Sequence, residues 1–132
     1  AFARFGSPSG DDDLAHAARI IADAIRAHPH MIAGTGRFDS DLIRATRGRI
    51  LGKMGADGVF AAAVPGLGIG LAVKIEDGAR RALFPAVVEA LVQLDALSPG
   101  EAEALAGHHF PRVRNWSGDT VGGISPVFRL SR

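Results

Sequence analysis

Cysteine is absent from the 132 residues, so neither a disulfide nor thiolate chemistry can arise within the chain. That absence points to a reducing compartment. No apolar run reaches the roughly eighteen residues that a membrane span needs, and no charged-then-apolar leader is visible, so the expected location is the cytoplasm. An excess of one charge is lacking too. Fifteen basic and fourteen acidic residues are interleaved to a formal net charge of +1, which leaves no electrostatic footprint for nucleic acid or an anionic membrane. Repeats and low-complexity segments are also missing. What is present is 47% hydrophobic and 22% charged, the balance of a chain that folds around a core, and its length bounds it to one domain at most.

The stretch from Ile50 to Ile75 organises the rest. Three short apolar runs, Ile50 to Met54, Val59 to Val64 and Ile69 to Ile75, are separated by Gly55-Ala-Asp-Gly58 and Pro65-Gly-Leu-Gly68. Turn residues at that spacing predict three consecutive antiparallel strands. Gly66, Gly68 and Gly70 belong to the second turn, because a dinucleotide loop needs glycines at its first, third and sixth positions between a strand and a helix. Lys53 sits in the first strand, two residues before a turn. A charge in an apolar strand costs desolvation unless it has a partner or a task, so Lys53 either points at solvent or serves a site.

Helices are expected on either side of the meander. Ala1-Phe-Ala-Arg-Phe5, without an initiator methionine, reads like the interior of an amphipathic helix in a chain cut from something longer. Ser7 to Asp13 offers N-caps and acidic residues for a helix whose apolar stripe is Leu14, Ala18, Ile21 and Ile25, ending near Ala27. Pro29 marks the boundary, and His28 and His30 beside it read as loop histidines, with metal ligation the alternative. In Gly34-Thr35-Gly36-Arg37 the glycines admit a ligand close to the backbone, while a hydroxyl and a planar cation suit an anion; the same residues also serve as a plain loop. Asp39 or Ser40 then caps a short helix with Leu42 and Ile43, closed at Gly48 after Arg44 and Arg47. After Gly78 a helix with Leu83, Val87, Ala90, Leu91 and Leu94 is expected to pack across the sheet, kinked by Pro85 if that residue falls past the first turn. Ser98-Pro-Gly-Glu101 is a capping box for a short helix ending by Gly107. His108 and His109 follow as an expected solvated pair, and the tail with Pro111, Trp116 and Pro126 as an extended arm with an edge strand near Val121 to Ile124.

Taken together, His28 to Ile43, Gly52-Lys-Met-Gly-Ala-Asp-Gly-Val59, Ala61 to Ala82 and the tail Val113-Arg-Asn-Trp-Ser-Gly118 with Val121-Gly122 resemble the C-terminal portion of the rhizobial-type L-asparaginases, the asparaginase II family. The resemblance covers nearly the whole chain. It implies an α/β (α+β) fold similar to that of serine β-lactamases and glutaminases, an antiparallel sheet flanked by helices, with residues 1–132 as the C-terminal segment of a single domain. It implies hydrolysis of L-asparagine to L-aspartate and ammonia, and a homodimer. Lys53 falls on the lysine of the family's Lys-x-Gly strand, comparable to the Lys-Thr-Gly element of β-lactamases, where an amine beside the nucleophilic serine holds a proton network or steadies developing charge. Gly55 and Ala56 fall near the oxyanion or the substrate backbone, and Thr35 or Arg37 near a substrate carboxylate.

The family's serine, followed by lysine three residues later, has no counterpart at Ser7, Ser9, Ser40, Ser98, Ser117, Ser125 or Ser131. Its zinc-binding cysteines and lysine also lie upstream in family members. The expectation is therefore an amidohydrolase whose nucleophile, and zinc if any, come from an upstream half, with this chain inactive alone and holding no cofactor or metal of its own. Two other readings stay open: a different serine amidohydrolase such as a glutaminase, and a non-catalytic binding or assembly module that kept the sheet.

Overall fold

In the computed structural model, which describes residues 13–131, the strands Leu51–Met54 (β1), Val59–Val64 (β2) and Ile69–Lys74 (β3) pair antiparallel in the order β1-β2-β3. Leu51 faces Ala63 and Met54 faces Phe60 in the first pair; Val59 faces Lys74 and Val64 faces Ile69 in the second. This is the expected meander: β2 fills its apolar run, while β1 starts and β3 ends one residue inside theirs. At the first hairpin Asp57 and Gly58 both have positive φ, 52° and 68°. A Cβ on Gly58 would lie 3.0 Å from the backbone of Gly78, so only glycine meets both demands. Ile75 N–H donates to the Gly58 carbonyl at 2.9 Å and ties this turn to the end of the sheet.

The helices are Asp13–Ala27 (α1), His30–Ala33 (α2), Phe38–Ala45 (α3), Arg80–Gln93 (α4), Pro99–Ala104 (α5) and Ala106–His109 (α6). Alternation along β2 sends Phe60, Ala62 and Val64 into one core with Leu83, Val87 and Leu91 of α4 and Phe38 and Leu42 of α3. Each of the phenylalanine, leucine and valine side chains among these contributes about 1.5–3 kcal/mol on leaving water. On a second cluster Leu51 meets Ile43 and Ala22 of α1. Helices therefore pack on the small antiparallel sheet from more than one side, a mixed α/β arrangement of the α+β kind. Gly52 makes room beside Lys53, since a Cβ there would stand 2.6 Å from Phe60 Cζ and 3.0 Å from Leu42 Cδ2.

Half of the expected stripe on α1 faces the core, Ala18 and Ile25, and half does not. Ala15, Ala18 and Ala22 are buried, whereas Leu14 is 61% and Ile21 46% exposed. Three small side chains let the helix backbone come close to Leu51 and Ile43, which the larger residues on that face would prevent. Asp39 and Ser40 do not cap α3 either. Arg37, extended at φ −94° and ψ 142°, occupies the N-cap position with no side-chain cap, and both residues lie buried inside the first turn. Ser40 Oγ donates instead to the Pro29 carbonyl at 2.9 Å. The close of this segment is as expected, with Gly48 N–H donating to the Ile43 carbonyl at 2.7 Å.

Pro85 is buried past the first turn of α4, where it removes the donor that the Arg81 carbonyl would otherwise use. The capping box forms. Ser98 N–H donates to Glu101 Oε2 at 2.7 Å and Glu101 N–H to Ser98 Oγ at 3.4 Å. Arg49 joins this helix start to β1, donating to Glu101 Oε2 at 2.6 Å and to the Ala96 carbonyl at 2.9 Å. The helix is short and ends at Ala104, before Gly107 as expected, and Gly107 itself lies inside α6. The tail holds a strand that was not expected: Arg112–Arg114 (β4) pairs with Thr120–Gly123 (β5) as a separate hairpin, with Trp116 in its exposed turn. Gln93 fixes the chain beyond it, donating to the Phe128 carbonyl at 2.9 Å and accepting from Leu130 N–H at 2.7 Å. The helix expected over Ala1 to Phe5 and the caps before Asp13 lie outside the described residues. Among the described residues no helix is long and apolar enough to cross a membrane.

Candidate active site

Asp39 decides where Lys53 points. Phe38 is anchored in the main core, so the first turn of α3 delivers the next side chain to the end of β1. Asp39 Oδ1 accepts from Met54 N–H at 2.7 Å and from Lys53 Nζ at 3.2 Å, while Lys53 Nζ donates to the Met54 carbonyl at 2.8 Å. The carboxylate is only 3% exposed and the lysine side chain 43%. A carboxylate that deep needs donors around it, and these two supply them. An ammonium has three donors, so one remains for a ligand.

Lys53 opens onto a cleft of about 250 Å³ between α3, β1, α4 and α6. Its floor is aromatic. The rings of Phe38 and Phe84 stack at 4.7 Å and 27°, and His108 stands edge-on to them at 5.2 and 6.2 Å. Asp41 holds His108 in place, its Oδ2 2.9 Å from Nε2. Arg37 and Arg80 line the same cleft, and among the described residues neither guanidinium has a hydrogen-bonding or carboxylate partner. The neighbouring Arg81 differs, pairing with Asp77 at 2.9 Å. The opening is thus cationic at its rim, with its one lining carboxylate already engaged. Arg37 and Arg80 are exposed and Lys53 is half-buried, so these charges meet a ligand at the solvent-facing mouth of the cleft.

Of the residues singled out in the sequence, Lys53 and Arg37 reach this cleft. Thr35 is exposed in the turn between α2 and α3, and Gly55 and Ala56 lie in the turn just after Met54; none of the three lines it. Asp39, Arg80, Phe84 and His108 were not anticipated there. The block Arg37-Phe-Asp39 contained Asp39, but an acidic residue at a helix start reads first as a cap. Arg80 and Arg81 look alike in sequence, and only packing sends one to Asp77 and the other to the cleft.

His108 and His109 are not a solvated pair. His109 is 7% exposed, and its Nε2 lies 2.8 Å from Glu89 Oε2. One turn of helix carries the two rings to carboxylates on different helices, Asp41 of α3 and Glu89 of α4. Glu89 also accepts from Gln93 Nε2 at 2.6 Å, and this bond, with the His109 contact, outweighs burial and holds the carboxyl below the ordinary glutamate range. Burial pushes Glu101 upward, but the hydrogen bonds from Arg49 and Ser98 prevail and lower it as well. The rings of His28 and His30 lie edge-on to each other at 6.3 Å. Among the described residues no group of three His, Asp or Glu side chains is placed to hold a metal ion.

A cleft this small, cationic at the rim and aromatic at the base, suits a small polar metabolite that carries negative charge, on a mixed α/β scaffold. The sequence matches the L-asparaginase II family model over residues 1–126, and the chain belongs to that family. Its chemistry is therefore of the asparaginase amidohydrolase type. No curated protein matches the chain.

Proposed function

We propose that this chain is the C-terminal segment of an L-asparagine amidohydrolase with a serine β-lactamase-like fold, in which Lys53 works beside a serine supplied by an upstream segment. The single observation that carries the reading is the Lys53–Asp39–Met54 knot at the mouth of the cleft. Its buried carboxylate holds the amine at a fixed place, so that its free donor meets charge as it develops on the attacked carboxamide. The serine attacks the side-chain carboxamide of L-asparagine, ammonia leaves, and water releases L-aspartate from the acyl-enzyme. Arg37 takes the substrate carboxylate; Gly55, Ala56 and Thr35, which lie outside the cleft lining, flank it from the neighbouring turns. The meander with α4 across one face supports the fold assignment. The exposed Leu14, Ile20, Ile21 and Met31 on α1 and α2 offer the surface on which the upstream half packs, and the working protein is a homodimer.

Ammonia release from L-asparagine tests this reading, measured for the 132-residue chain alone and for the chain joined to an upstream segment bearing Ser-x-x-Lys. The expected result is activity only in the joined protein and a preference for L-asparagine over L-glutamine. Activity of the 132 residues alone that survives Lys53→Ala contradicts it, and faster turnover of L-glutamine makes it a glutaminase.

A further inference from the structure

We infer that Arg80 is a second arm of a carboxylate clamp, closing with Arg37 on the α-carboxylate of the amino-acid amide and so restricting the site to α-amino-acid substrates. The inference rests on the amidohydrolase reading for the identity of the ligand, but its observations are independent of the serine. Arg80 is the first residue of α4 and Arg37 the residue before α3, so the two guanidiniums enter one cleft from two helices fixed in the main core. Among the described residues neither has a partner, while five other arginine or lysine side chains, Arg81 with Asp77 included, are paired with carboxylates. Two unpartnered planar cations lining one small space match a carboxylate, which accepts the parallel N–H pair of one fork and single N–H donors from the other on its outer lone pairs.

The rest of the cleft fits the same ligand. Asp39 is occupied by Lys53 and Met54 and so does not repel an incoming anion as a free carboxylate would. Phe38, Phe84 and His108 form a floor that cannot move far, because the rings brace one another and Asp41 holds the imidazole. A volume of about 250 Å³ is below the usual range for drug-sized ligands and admits a single amino acid. With the carboxylate on Arg37 and Arg80, the other end of the ligand is left for Lys53. The clamp thus sets the direction in which an asparagine lies.

Binding of L-aspartate by calorimetry, with no turnover required, tests the clamp on the protein carrying wild-type sequence, Arg80→Gln, Arg37→Gln and Arg81→Gln. The wild type is expected to bind L-aspartate, each cleft variant to lose roughly tenfold to a hundredfold in affinity, and Arg81→Gln to stay within about twofold. Binding by Arg80→Gln equal to wild type overturns the inference, as does a wild type that does not bind. Inorganic phosphate displacing L-aspartate at equal concentration also overturns it, since the site is then a general anion site. A wild type that binds through Arg80 yet, in a form with the upstream serine, releases no ammonia from L-asparagine upholds the clamp and refutes the amidohydrolase reading, so the two fail separately.

Discussion

Truncating Asp39 to alanine leaves Met54 N–H without its acceptor and Lys53 without its counter-charge, in a place only 3% exposed. The expected loss is about 1–3 kcal/mol, read from denaturant unfolding. No loss beyond experimental error would show that water replaces the carboxylate and that the knot positions nothing. Gly52→Ala tests the same spot from the core side, because the added methyl meets Phe60 at 2.6 Å. Overpacking there is expected to cost about 1–3 kcal/mol and to lower the melting temperature, whereas an unchanged transition contradicts the tight fit. At this scale the sequence was partly legible. Lys53 stood out because charge is costly in an apolar strand, but its partner did not, since nothing local tells that Arg37 takes the cap position and turns Asp39 inward. His108 and His109 were misjudged for a similar reason: their carboxylates sit 67 and 20 residues away.

Single elements were easier to read where a local pattern fixes the geometry. The meander followed from two turns, and the capping box from four residues. Replacing Ser98 by alanine is expected to cost about 1 kcal/mol, with the lost bond seen as faster amide exchange at Glu101. Unchanged exchange would show that the serine hydroxyl does not hold that amide. Leu14 and Ile21 of the α1 stripe were misread, unlike Ala18 and Ile25, because periodicity weighs hydrophobicity, while the sheet also selects the small residues that allow close approach. Acid sensitivity also belongs here. Glu89 and Glu101 are both held below the ordinary glutamate value, so they favour the fold above it, and that contribution is lost as pH falls through their folded-state values. Unfolding midpoints between about pH 5 and 2 are expected to fall less steeply in Glu89→Gln and Glu101→Gln than in wild type; parallel curves would show that neither group is coupled to folding.

Across the whole molecule the site draws Asp39, Lys53, Arg80 and His108 from four elements, α3, β1, α4 and α6, and the core made by α4 against the meander brings them together. Residues so far apart in the chain leave no spacing signature, which is why Arg80 was invisible until the helices were in place. The fold class needed only element types and turn positions, and these the chain carries locally. The measurement that bears most directly on this account is the kcat for L-asparagine of Lys53→Ala against wild type, in the chain joined to an upstream segment bearing Ser-x-x-Lys. Loss of one fixed donor at developing charge predicts a fall of about 10²–10³ with circular dichroism unchanged. A well-folded variant within twofold of the wild-type kcat would contradict the account, leaving Lys53 as a structural ion pair at the end of β1.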